Sequence, residues 1–94
     1  MDKLKNNLLD LKMELLKVFS EKREHMIIYG VNAFSQIIKY LDQMLAECDS
    51  KQFKPKNIRY SYIARIVIEI PPSILDPDLG GRLIEVEKEY IDHP

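Results

Sequence analysis

The spacing of apolar residues changes near the middle of this 94-residue chain, and that change limits what it can fold into. Up to Cys48, apolar residues recur every three or four positions, the period of a helix face. In Tyr60–Ile70 (YSYIARIVIEI) they become dense and partly alternating, and Pro71-Pro72 closes the run. A short β-branched and aromatic segment bounded by turn formers predicts a strand.

Leu4, Leu8, Leu11, Leu15 and Phe19 make one face at steps of four and three, which predicts an amphipathic helix from residue 2 to about 23. Lys22 and Arg23 break its phase. Met26, Ile27, Ile28 and Tyr29 then form an apolar tetrad before Gly30, readable as the last turns of that helix or as a short strand. A second helix carries Val31, Phe34, Ile38, Leu41, Leu45 and Cys48 on one stripe, with Ile37 and Met44 on its shoulder. Asn32 is a candidate cap for its start, and Pro55 bars its continuation past the polar cluster 49–52.

The second half reads as a sheet. As a strand, residues 60–70 would turn Tyr60, Tyr62, Ala64, Ile66, Ile68 and Ile70 inward. The segment 71–81 (PPSILDPDLGG) reads as a wide connection. Arg82–Ile91 then alternates Ile84, Val86 and Tyr90 against Glu85, Glu87 and Glu89, a second strand. Leu79, Leu83, Val86 and Tyr90 also sit at helical spacing, so a helix is the alternative there. The predicted fold is α+β: two N-terminal amphipathic helices packed on a small antiparallel C-terminal sheet, in one compact domain over 1–94. Its helical part covers about 2–49 and its strand-rich part about 58–91. An all-helical chain with a single odd strand is the competing architecture.

Charge is uneven along the chain although its net value is only −1. Residues 51–68 hold five basic and no acidic side chains, whereas residues 69–94 hold seven acidic and two basic ones. Pairing of the two blocks across a hairpin or a dimer interface is the simplest expectation. The lone Cys48 excludes an intrachain disulfide and fits cytoplasmic residence. No apolar run reaches bilayer length and no secretory leader is evident, so no membrane role is expected.

Chemistry-bearing patterns are sparse. His25 and His93 stand far apart and Cys48 has no partner at ligand spacing, so no metal site or cofactor is predicted. No phosphate-binding glycine loop or nucleophile elbow is present, and no catalytic residue is assigned. Asp76 and Asp78, with Arg82 for an anionic substrate, are the best acid–base candidates, and turn formation explains the aspartates more simply. Within Lys51–Arg65, Lys54, Lys56 and Arg59 are candidate phosphate contacts, with Phe53, Tyr60 or Tyr62 as stacking rings. The expected function is a small non-enzymatic protein-interaction module, regulatory or inhibitory, acting as a homodimer on a protein partner. A dimeric nucleic-acid-binding regulator is the first alternative and a small enzyme the second.

Overall fold

The computed structural model describes residues 2–26 and 28–94. Among them the regular structure is all helical, with α1 at Asp2–Lys22, α2 at Ile28–Ser50, α3 at Tyr62–Glu69 and α4 at Pro77–Asp92. Single 3-10 turns occupy Arg23–His25 and Lys56–Ile58. The predicted α+β architecture is therefore overturned, because no strand exists among the described residues.

Both predicted strands are helices, and burial follows the helical period in each. In Tyr60–Ile70, alternation and helical spacing fit the same dense apolar run, and burial follows the helical series Ile63, Val67, Ile70. Tyr60, Tyr62 and Ile68, assigned inward by alternation, are exposed, Ile68 at 77%. In α4 the series Leu79, Leu83, Val86, Tyr90 is buried, whereas Ile84 faces out. Pro77 occupies the first turn, where its missing N–H costs nothing, and Asp78 beside it complements the helix dipole. The connection shrinks to 71–76, and Gly80 and Gly81 become helix interior.

The N-terminal boundary also moves. Met26 is extended and α2 begins at Ile28, so Gly30 and Asn32 lie inside the helix and Asn32 is no cap. Of the tetrad at 26–29, Ile27 lies outside the described residues.

Four helices form a square arrangement in which α1 packs on α2 and α4, and α3 packs on α4 and α2. Ion pairs fix the directions. Lys5–Asp49 and Lys12–Asp42, both 2.6 Å, run α1 antiparallel to α2, while Arg82–Glu14 at 2.6 Å and the Asn7 amide donating to Glu89 at 3.4 Å run it antiparallel to α4. With no strands among the described residues there is no hairpin across which the charge blocks at 51–68 and 69–94 could pair; the ion pairs between helices join α1 to its neighbours. Leu8, Leu15, Phe34, Ile37, Leu41, Ile63 and Leu83 are fully buried between the four helices. Each such side chain contributes about 1.5–3 kcal/mol relative to exposure. Ile37 and Met44, on the predicted shoulder of α2, belong to this core, while Ile38 lies at its edge.

Short α3 approaches α4 at Gly80, where a Cβ would stand 3.0 Å from Val67 Cγ1. A larger side chain at that position would push the two helices apart.

The end of α2 has a strained residue. Lys51 adopts φ 57°, a left-handed conformation. Gln52 N–H donates to Glu47 O and Lys51 N–H to Cys48 O, which together make a Schellman closure. Glycine suits that position better than a Cβ-bearing residue. Lys51→Gly is expected to raise stability by about 1 kcal/mol, read as a higher urea midpoint at unchanged slope; a lower midpoint would contradict the strain argument.

Candidate functional site

The segment from Lys51 to Ser61 is pinned between helix ends by two buried charged side chains. Arg59 is 8% exposed and its guanidinium lies at the C-terminus of α4. It donates to the carbonyls of Tyr90 (3.0 Å), Ile91 (3.4 Å) and His93 (2.6 Å), and through Nε to Lys54 O (2.7 Å). These carbonyls lie at the end of α4, where only Tyr90 O accepts a further backbone N–H, from His93 at 3.3 Å, and they carry the negative end of the helix dipole. The guanidinium also sits 5.4 Å from the centroids of both Phe53 and Tyr90.

The reverse lock comes from Glu87, 1% exposed on α4. Its carboxylate accepts the N–H groups of Ile63 (2.7 Å) and Ala64 (3.0 Å), orphan donors in the first turn of α3. Ser61 precedes α3 but makes no capping hydrogen bond through its side chain, so Glu87 supplies the cap from a distant element. Burial pushes the Glu87 carboxyl above its ordinary value, and the amides of Ile63, Ala64 and Tyr62 partly oppose that shift. Each helix of the α3/α4 pair is therefore capped by a charged residue from the other side of the joint.

A third contact closes the joint onto α2. Tyr90 OH donates to both oxygens of Glu47, at 2.9 and 2.8 Å, and Lys54 N–H donates to Glu47 Oε1 at 2.9 Å. Burial and the Glu47 carboxylate push the Tyr90 hydroxyl pKa upward, so it stays a donor. The cavity beneath, lined by Tyr40, Glu47, Arg59 and Tyr90 among others, holds about 30 Å³. That is room for a water molecule and not for an organic substrate.

This locked joint presents an exposed aromatic platform. Tyr62 stacks on Tyr40 with ring centroids 5.1 Å apart, and Tyr60 meets Tyr62 edge-on at 5.8 Å. Tyr60 is 55% exposed, and Ile58 and Tyr62 are also open to solvent. A surface groove of about 330 Å³ runs between Tyr60, Ser61, Tyr62 and Arg65. Lys51, Lys54, Lys56 and Arg65 are exposed and, among the described residues, their side chains meet no acidic group.

Of the three phosphate-contact candidates, Lys54 and Lys56 thus lie free at the surface, whereas Arg59 is enclosed and fully engaged. Phe53 is drawn inward against Arg59, Tyr90 and His93, the last stacked at 4.4 Å. The acid–base candidates lie together at the exposed start of α4. Asp76 and Asp78 are exposed at the start of α4, and Arg82 is held by Glu14 through two contacts and by Asp78 at 3.3 Å. Cys48 is core, and burial raises its thiol pKa. No group of three His, Cys, Asp or Glu suited to a metal ion occurs among the described residues. Nor is any described helix long and apolar enough to cross a membrane.

Residues that sequence reasoning missed are Glu87, Glu47 and Tyr40. Glu87 falls on the inward face as soon as α4 is given a helical period, one position after Val86 and three before Tyr90. Nothing comparable marks Glu47 or Tyr40, whose roles come from elements distant in sequence. No family model, curated protein or solved structure matches the chain.

Proposed function

We propose that this chain is a non-enzymatic protein-interaction module that acts as a homodimer and docks an acidic protein segment on the Ile58–Tyr60–Tyr62 platform. The observation that carries this reading is the exposure of two tyrosines and an isoleucine beside four unpaired cations. Tyrosine offers large, amphipathic contact area at small entropic cost and is enriched among residues that dominate binding energy. The surrounding Lys54, Lys56 and Arg65 would steer and align carboxylates at the rim. Because Glu87, Arg59 and Glu47 hold the joint, the platform is preorganised, which lowers the ordering cost of association. Binding of this kind regulates or inhibits a partner by occupying its surface.

Tyr60→Ala combined with Lys56→Glu is expected to weaken a partner co-purified from the native cell by at least about tenfold. Both side chains are surface groups, so folding stability should change by no more than about 0.5 kcal/mol. Titration calorimetry with the purified partner and a urea melt read the two quantities separately. Unchanged affinity in the double variant would remove the platform from this role.

One observation favours a second reading, single-stranded nucleic acid. Tyr60 and Tyr62 face solvent, where the strand reading had turned them inward, so a base could stack beside phosphates held by Lys54 and Lys56. Arg59 takes no part in it. The protein reading is preferred because a chain of net charge −1 has little long-range attraction for a polyanion and the tyrosine rings already cover one another. Fluorescence anisotropy with single-stranded DNA and RNA pools separates the two: this alternative requires low-salt binding that decays steeply as salt rises.

A further inference from the structure

The outward side of α1 carries an apolar stripe that the bundle leaves uncovered. Leu9, Met13 and Leu16, at steps of four and three, are all exposed, Met13 at 69%. They form a row separate from Leu4, Leu8, Leu11 and Leu15, which face the core.

Beside this stripe runs a second row at seven-residue steps, Lys3, Asp10 and Lys17 on α1, followed by Glu24 in the 3-10 turn beyond its end. All four are exposed, and among the described residues none is ion-paired within the protomer. By contrast Lys5, Lys12 and Glu14 on the flanks of α1 are tied to α2 and α4. Charge along the free row therefore alternates in sign.

We infer that α1 of one copy packs antiparallel against α1 of a second copy, about a twofold axis near Met13. Antiparallel pairing sets Met13 against Met13, Leu9 beside Leu16, Asp10 beside Lys17 and Lys3 toward Glu24 of the second copy. A parallel twofold pairing would leave the two copies of this row on opposite sides of the seam, so only the antiparallel form lets its alternating charges meet each other. A twofold interface of this type is self-complementary, as closed homodimers require.

This inference deepens the homodimer part of the proposed function and rests on it. It adds a geometric consequence. Because α1 and α3 stand on one diagonal of the square, a contact through α1 leaves both tyrosine platforms facing away from the interface. The dimer is then bivalent, and a partner with two acidic segments gains avidity without a new contact.

Sedimentation equilibrium of the full chain at micromolar concentration tests the contact, with the expected species at twice the 11.1 kDa protomer mass. Met13→Glu brings two carboxylates together at the axis and should yield monomer. Asp10→Lys alone should weaken the dimer roughly tenfold, and adding Lys17→Asp should restore it. Met13→Cys should form a disulfide-linked dimer on mild oxidation, while buried Cys48 stays reduced. That cross-link and the charge exchange read the same contact if the glutamate variant misfolds. A wild-type chain that sediments only as protomer overturns the homodimer reading and this contact together. A wild-type dimer indifferent to the charge exchange and to Met13→Glu keeps the homodimer and overturns the α1 contact.

Discussion

Replacing Glu87 with alanine is expected to lower folding stability by about 3 kcal/mol, a large share of the 5–15 kcal/mol typical of a whole domain. The carboxylate accepts two N–H groups at the start of α3, at 2.7 and 3.0 Å, and one belongs to fully buried Ile63. Alanine leaves both donors without a partner, removes an anion from the positive end of the helix dipole and opens a void in a closely packed joint. Helix α3 has only eight residues and no side-chain cap from Ser61, so it has little local means of compensation. Glu87→Gln should cost less, since one amide oxygen still accepts while the NH₂ group confronts a donor. Urea denaturation followed by circular dichroism checks both, and an alanine variant within 1 kcal/mol of wild type would refute the cap.

Acid strengthens this site relative to neutral pH. Burial raises the Glu87 carboxyl above 4.5 in the folded state, so over the window just above that value the native protein binds a proton that the unfolded chain has released. Stability from this group is therefore greatest at or below the ordinary carboxyl range and falls as pH rises through the folded-state value. The glutamine variant lacks that titration. Its stability deficit relative to wild type should shrink between mildly acidic and neutral pH, measured as urea midpoints in matched buffers. A deficit that widens over the same interval would mean that the amides outweigh burial.

Particular residues show how far the fold was legible. Helices α1 and α2 are long, and their apolar period persists over several turns, which leaves one interpretation. For α3, eight residues with four β-branched side chains satisfy either period, and the choice is made by contacts with α2 and α4 that no local pattern encodes. Helix α4 was ambiguous for a different reason: Glu85, Glu87 and Glu89 alternate by chance with Val86, whereas Leu79, Leu83, Val86 and Tyr90 mark the true face. Treating those glutamates as one solvated row concealed Glu87, because a buried charge is recognisable only once its amide partners are located. The aromatic and basic makeup of 51–65 was legible. Which of its members are free and which hold the joint was not, since Arg59 is selected by the end of a helix some thirty residues away.

Arg59→Ala is expected to cost about 3 kcal/mol, comparable with loss of the Glu87 cap, although it caps the end of α4 rather than the start of α3. Removing the guanidinium strips donors from Tyr90 O, Ile91 O and His93 O, releases Lys54 O, and empties the space between Phe53 and Tyr90. A lysine should recover little, because an ammonium on a flexible stem has no planar fork to span several carbonyls and stack between two rings at once. The two caps share one joint, so their effects should not add. Once Arg59 is gone the linker loosens, α3 shifts, and part of the Glu87 contact is already lost. A double-mutant cycle of Arg59→Ala and Glu87→Ala should therefore show a coupling energy of at least about 1 kcal/mol. The same loosening should reach the platform: Arg59→Ala is expected to weaken partner binding although its side chain is hidden from the surface, because Ile58 and Tyr60 flank it directly. Strict additivity in the cycle, with platform affinity untouched, would show that the two caps act as separate devices and that the joint does not organise the binding surface.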